Sequence, residues 1–260
     1  MPPDESSAPA SPARADSHPR AGGHALWLFD FDNTIAALEP AVDWAASRRE
    51  LEPWLRKLGI EDDLFSRIPR GNLPLYDALH ARFFAEADEG GTVERTGFDR
   101  LRHDRRAILE GASLLIERYE MRGVPQAREL SGALDLLGRL RGLGVATVIV
   151  TSNSSRTVAA WFEANRARQT MPPIVGRDSG LALKPSPAMV RRALALSAAS
   201  APDAIFVGDS EADLRAASAA GIRFAGIAAR AEIRAKLIAA SVADSEIFAS
   251  PAILARAAKI

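Results

Sequence analysis

Three apolar runs in this sequence each stop abruptly on polar residues, and that pattern restricts the fold more than any other feature. Leu26-Trp27-Leu28-Phe29 stops at Asp30-Phe31-Asp32-Asn33-Thr34, Val145 to Val150 stops at Thr151-Ser152-Asn153, and Ala204 to Val207 stops at Gly208-Asp209. Short runs without apolar/polar alternation suit strands buried on both faces, whose carboxyl ends open into polar loops. Between the runs lie helical patterns from Ala133 to Leu143 (ending at Gly144), Arg156 to Ala164, Pro187 to Ala198, and Glu211 to Ala220 with Gly221 as C-cap. Strand and helix alternate, so the expected fold class is α/β with a parallel sheet and right-handed crossovers.

The rhythm breaks between about Leu38 and Pro125. That stretch carries amphipathic helical patterns (Trp44 to Leu58, Leu75 to Ala87, Phe98 to Arg122) and no strand-like run, with Pro69, Gly71 and Pro74 punctuating one loop and Gly90-Gly91 another. The expected organisation is a core from 24–37 and 126–260, interrupted by a helical insert over 38–125. Residues 1–23 are rich in Pro, Ala, Ser, Arg and Asp and nearly free of large apolar side chains, so they read as a disordered tail. No internal repeat is evident.

The chain has 260 residues, 47% of them hydrophobic, which is enough for a sizeable core. Basic and acidic residues balance at 33 each, so no field of one sign exists to recruit nucleic acid or an anionic membrane. No apolar run is long enough to span a bilayer, and the acidic residues Asp4, Glu5 and Asp16 argue against a transit peptide. Cytoplasmic residence is the expectation. Cysteine is absent, leaving oxygen ligands for any metal.

In an open α/β sheet the ligand crevice lies beyond the carboxyl ends of the strands, so Asp30, Asp32, Thr151 and Asp209 are expected to converge. Clustered carboxylates repel, and a hard divalent cation such as magnesium is the usual remedy. Lys184, in Leu183-Lys184-Pro185, supplies a compact positive charge for an anionic substrate. A cation, a lysine and a hydroxyl around a nucleophilic carboxylate suit phosphoryl transfer. Taken singly, each residue has a plainer reading: Asp30 and Asp32 as turn formers, Thr151 as a helix N-cap, Lys184 as a solvated lysine, Asp213 as a first-turn helix residue.

In order and spacing these segments resemble the four motifs of the haloacid dehalogenase superfamily. They are Asp30-Phe31-Asp32-Asn33-Thr34, then Thr151, then Lys184, then Gly208-Asp209-Ser210-Glu211-Ala212-Asp213. The resemblance covers roughly Leu26 to Val42 and Val124 to Ala228. It implies a Rossmann-like three-layer α/β/α sandwich with a helical cap inserted after the first motif, in the style of phosphoglycolate-phosphatase-like members. It further implies a magnesium-dependent phosphatase acting on a small phosphorylated metabolite, with Asp30 as nucleophile and Asp32 as acid/base. Thr151, Ser152, Asn153 and Lys184 would hold phosphate; Asp30, the Asp32 main-chain carbonyl, Asp209 and Asp213 would hold Mg2+. Asn33 stands where the family often has Gly.

For substrate selection the residues to follow are Arg67, Arg70 and Asn72, with Tyr76 and His80, because the Pro69 to Pro74 loop is placed to project from the insert; arginines and histidines there otherwise read as a solvated face. His103 reads as part of an exposed charged face, and Trp44, Trp54 and Trp161 as packing residues. A β-phosphoglucomutase-type phosphomutase would use the same catalytic residues, and a catalytically silent binding module would keep the fold. A two-component receiver domain is disfavoured by the insert.

Overall fold

The computed structural model describes residues 20–84 and 105–260. The expected tail up to residue 19, the Gly90-Gly91 turn, His103 and the start of the helix expected from Phe98 lie outside the described residues. In chain order the elements are β1 (Leu26–Phe29), β2 (Ala36–Ala37), α1 (Trp44–Lys57), α2 (Asp62–Arg67), α3 (Asn72–Phe84), α4 (Arg105–Gly123), β3 (Arg128–Glu129), α5 (Ala133–Gly142) and β4 (Ala146–Val150). They continue with α6 (Ser155–Ala164), β5 (Ile174–Val175), α7 (Ala188–Ser197), β6 (Ala204–Gly208), α8 (Glu211–Ala219), β7 (Arg223–Ile227), α9 (Ala231–Ala239), β8 (Ile247–Phe248) and α10 (Pro251–Ala257).

Six strands form one parallel sheet in the order β5-β4-β1-β6-β7-β8. The order steps outward from β1 in both directions, so β1 is the topological switch point where a crevice opens at the carboxyl edge. Every residue of β1 is buried, as a central strand covered by helices on both faces requires. The result is a Rossmann-like α/β sandwich. Beneath it, Phe31 and Trp161 meet edge to face with centroids 5.5 Å apart, and the Trp161 indole donates to Ala127 O at 2.8 Å.

Helices α1 to α4 occupy the stretch between β2 and β3, and those two short strands pair antiparallel at its base. In α1 the residues Ser47, Leu51 and Leu55 fall four apart on one buried face, Asp43 caps its start by accepting from Ala46 N, and Glu50 accepts from Tyr119 of α4 at 2.7 Å. Trp54 lies directly over Gly111 of α4, where any Cβ would sit 2.7 Å from the indole ring.

Several features depart from the sequence reading. Residues 20–23, expected within the disordered tail, are packed: Ala21 is buried, its backbone pairs with His24 and its carbonyl accepts from the Trp27 indole, while Arg20 pairs with Asp203. Strand β7 was not expected because it opens on Arg223 and contains Gly226, and β5 and β8 are two-residue strands too short to carry a pattern. Helix α2 is a single short piece, below the length at which periodicity shows. Helix α3 begins at Asn72, so Pro74 sits in its first turn, where a missing amide costs nothing, and the expected Pro69 to Pro74 loop is shorter than drawn. No described helix is long and apolar enough to cross a membrane.

Candidate active site

Past β1 the chain turns sharply: Phe31 O accepts from the amides of Ile35 and Ala36, and Asn33 adopts a φ of 54°. A short amide side chain tolerates that left-handed conformation. The turn leaves Asp30 at the sheet edge, its amide on Val207 O of β6 at 2.8 Å. It also folds the chain back so that the amides of Leu38 and Glu39 both donate to Asp32 Oδ1 at 2.9 Å.

Loops from the two strands flanking β1 complete the constellation. After β4, Thr151 Oγ1 donates to Asn153 Oδ1 at 3.0 Å and accepts from Asn153 N at 3.1 Å, while Ser154 caps α6 by accepting from Thr157 N. Thr151 is therefore not the helix N-cap. After β6, Asp209 faces Asp30, and Asp213 closes a capping box with Ser210 at the start of α8. Gly208 is forced by closeness: a Cβ there would lie 2.7 Å from the Asp213 carboxyl group. Lys184 Nζ donates to Asp30 Oδ1 at 2.7 Å and to Asp213 Oδ1 at 2.5 Å.

The carboxyl groups of Asp30, Asp209 and Asp213 offer oxygens within 4.8 Å of one another. Burial is the first cause of the shifts this produces. It raises Asp30 to about 6, against the pull of Lys184, and raises Asp209 to about 9 with help from the charges of Asp213 and Asp30. Burial alone would lower Lys184, yet Asp213 and Asp30 outweigh it and raise that amine. Asp30 and Lys184 thus both move up although they are paired: one ammonium cannot neutralise three clustered carboxyl groups. The donor set is all oxygen and short of positive charge, and it fits a hard divalent cation held by Asp30, Asp209 and Asp213. Asp32 stands apart, raised to about 7 chiefly by burial against the opposing amide of Glu39.

A cavity of about 430 Å3 opens over these groups. Asp30, Asp32, Thr151, Ser152, Asn153, Lys184 and Asp209 line it, together with Asn33, Glu39, Trp44, Asn72, Leu73 and Pro74. A larger cleft of about 610 Å3, lined by Tyr76, Glu110, Arg156 and Asp178 among others, holds none of the clustered carboxylates, which all belong to or border the smaller cavity. Of the residues followed for selectivity, Asn72 lines the cavity, whereas Arg67 is exposed and pairs with Asp63, and Arg70 is exposed and does not line it. His80 meets Gly180 O at 3.1 Å instead of the cavity, Tyr76 is buried, and Trp44 is a wall of the cavity, not packing alone.

Sequence reasoning missed Glu120 and Arg177, both fully buried. Glu120 accepts from Asn153 Nδ2, Ser154 N, Thr157 Oγ1 and, at 2.7 Å, Arg177 Nη1. Arg177 also donates to Ser152 O at 2.8 Å and to Ser113. The pair fixes the loop after β4 from below and ties it to α4. Nothing in a single sequence marks them, since Glu and Arg are read as surface by default. Helix α3 adds a second tie, Asp77 accepting from Leu183 N at 3.1 Å just before Lys184.

The family model described as haloacid dehalogenase-like hydrolase matches residues 96–227, which includes Thr151, Lys184, Asp209 and Asp213. Among curated proteins the chain is 33% identical over 96 residues to the phosphoglycolate phosphatase of Pseudomonas fluorescens, covering 37% of this chain and 35% of that protein. The chain thus spans about a third of the length of the curated relatives it matches. Among solved structures it is similar to a phosphonoacetaldehyde hydrolase like protein from Oleispira antarctica, at TM-score 0.61, 16% identity and 95% coverage of both chains. It is also similar to a HAD-hydrolase from Bacillus subtilis bound to magnesium, at TM-score 0.53 and 19% identity, over 91% of this chain and 99% of the other. At these identities the two structures speak to the fold.

Proposed function

This chain belongs to the haloacid dehalogenase-like hydrolase family, and from that premise we propose that it is a phosphatase hydrolysing a small phosphorylated metabolite through an aspartyl-phosphate intermediate. The observation that carries the reading is the packing of three carboxyl groups within 4.8 Å, with Lys184 on Asp30, at the carboxyl edge of β1 and β6. Structural carboxylates gain nothing from such crowding. An arrangement that waits for a cation and a phosphate gains both.

In this reading Asp30 Oδ attacks phosphorus in line while the bond to the leaving oxygen breaks, and Asp32 delivers its proton to that oxygen. A carboxyl group with a pKa of about 7 holds a proton near neutrality, as an acid must. Asp32 then takes a proton from water attacking the phosphorus, and the bond to Asp30 breaks. The two amides on Asp32 Oδ1 keep that carboxyl turned to its task throughout. Thr151, Ser152 and Asn153, on the loop that Glu120 and Arg177 fix, hold phosphate oxygens together with Lys184. Asp30, Asp209 and Asp213, with the Asp32 main-chain carbonyl, would hold Mg2+, which when bound supplies charge neutralisation for the phosphoryl group. The helices α1 to α4 act as a cap that closes the cavity on the leaving-group side.

The test is phosphate release from p-nitrophenyl phosphate by the wild type and Asp30→Asn, with magnesium and with EDTA. Magnesium-dependent release lost by about a hundredfold or more in the variant is the expected result. Equal release by the variant would remove Asp30 from the chemistry, and no release from any monophosphate by the wild type would remove the phosphatase reading itself.

A further inference from the structure

An ionised carboxylate can only accept hydrogen bonds, and that constraint passes from Glu120 into the loop after β4. Glu120 is fully buried on α4, and its two oxygens accept from Asn153 Nδ2 at 3.1 Å, Ser154 N at 3.2 Å, Thr157 Oγ1 at 3.1 Å, and Arg177 Nη1 and Nη2 at 2.7 and 3.1 Å. Asn153 must therefore turn its NH2 group to Glu120. Its Oδ1 is left facing Thr151, which obliges the Thr151 hydroxyl to be the donor in their 3.0 Å bond. The same hydroxyl accepts from Asn153 N at 3.1 Å, and Thr151 N donates to Val175 O at 3.0 Å. Arg177 closes the loop from the other side, its main-chain N donating to Asn153 O at 2.9 Å. The Thr151 hydroxyl and the main-chain amides of both residues are thus spent inside the protein, and the two residues are 0% and 3% exposed.

Ser152, between them, is in the opposite position. Its carbonyl is taken by Arg177 Nη1 at 2.8 Å, but its N–H and hydroxyl make no hydrogen bond among the described residues, its hydroxyl is not sealed from solvent, and it lines the cavity with Asp30 and Lys184. To give its hydrogen to phosphate, Thr151 would have to abandon Asn153 Oδ1 in a nearly sealed place, where an acceptor without a donor is costly; Ser152 gives up nothing. Resting on the phosphatase reading above, we propose that Glu120 is a positioning residue for phosphate: by locking Asn153 and Thr151 it fixes Ser152 as the loop residue whose hydroxyl donates to a phosphate oxygen. The grip of the loop is thereby divided, with Ser152 touching phosphate and Thr151 and Asn153 keeping it in place. Because Glu120 stands on α4, that grip depends on how the inserted helices are seated on the sheet domain.

The experiment measures the Kd of inorganic phosphate by titration calorimetry, with Tm alongside, in the magnesium-loaded wild type, Ser152→Ala, Glu120→Gln, Asn153→Ala, and the latter two each combined with Ser152→Ala. Ser152→Ala removes no side-chain bond within the protein, so it is expected to weaken phosphate binding by roughly tenfold and leave Tm unchanged. Glu120→Gln puts an NH2 group among donors and frees Asn153. It is expected to weaken binding several-fold, and much less once Ser152 is already Ala, because a residue acting through Ser152 then has nothing left to place. Asn153→Ala cuts the same link from the loop side while the Glu120 and Arg177 pair stays whole, so it carries the test if Glu120→Gln does not fold. An unchanged Kd in Ser152→Ala overturns the proposal, as does an unchanged Kd in Glu120→Gln and Asn153→Ala whatever their Tm. Losses that multiply fully in the double variants also overturn it, since Thr151 or Asn153 would then hold phosphate directly. The expected pattern of Kd values without release from p-nitrophenyl phosphate would uphold Ser152 and Glu120 and overturn the phosphatase reading; release by a wild type that binds no phosphate would do the reverse.

Discussion

At the scale of single residues, the cavity is built on carboxyl groups held largely away from water. Asp32 is the acid in our reading, so Asp32→Asn, which retains an oxygen for the amides of Leu38 and Glu39, is expected to fold normally and lose about 10²- to 10⁴-fold in kcat on an alkyl phosphate. The loss on p-nitrophenyl phosphate should be smaller, because that leaving group departs without a proton; equal losses on both would deny Asp32 its role. The raised pKa values also lead to a prediction for stability. Asp30, Asp32 and Asp209 bind protons more tightly folded than unfolded, so the metal-free protein is most stable when they are protonated and loses stability as pH rises through about 6, 7 and 9. Magnesium offsets the repulsion only among the ionised groups. Thermal melts should therefore show a larger magnesium-dependent rise in Tm at pH 8 than at pH 5.5, by several degrees; an equal rise would mean the ion binds elsewhere. Asp30, Asp32, Asp209 and Lys184 were legible in sequence because each follows or precedes an element boundary. Glu39 was not, because its place at the cavity depends on a turn whose return path no spacing reveals.

At the scale of elements, the loop after β4 is held not only by its own Thr151–Asn153 hydrogen bonds but by Glu120 on α4 and Arg177. Breaking a fully buried pair leaves an uncompensated charge, so Arg177→Met is expected to cost about 3–5 kcal/mol in urea unfolding. The double variant Glu120→Met with Arg177→Met should recover much of that, since the apolar pair removes the orphaned charge along with its partner. A single variant within 1 kcal/mol of wild type would show that water relieves the pair. The long strands β4 and β6 and helices α5 to α8 were readable because their patterns run for several residues. Strand β7 was hidden by Arg223 and Gly226, both poor strand formers whose pairing with β6 is decided by the sheet and not by propensity.

At the scale of the whole molecule, one hydrophobic cluster runs from Leu26 and Phe206 in the sheet through Leu51, Leu55, Leu75 and Ile116 in the inserted helices. The insert is also bonded to both phosphate-side loops, through Glu120 and through Asp77. We expect a single cooperative transition, with tryptophan fluorescence and far-ultraviolet circular dichroism coinciding; two separated transitions would mean that the helices and the sheet melt independently.

The position of β1 at the centre of the sheet has a consequence in time. Leu26 pairs with Ala146 on one side and Ala204 on the other, both far downstream. The strand that ends at Asp30 is among the first parts of the described chain to leave a ribosome, yet it cannot acquire either neighbour until more than half of the polypeptide, up to Ala146 and beyond, has followed. Closing those long loops is entropically slow. The inserted helices, whose contacts are more local, have every opportunity to form first, and refolding should show helix well before any competence to release phosphate.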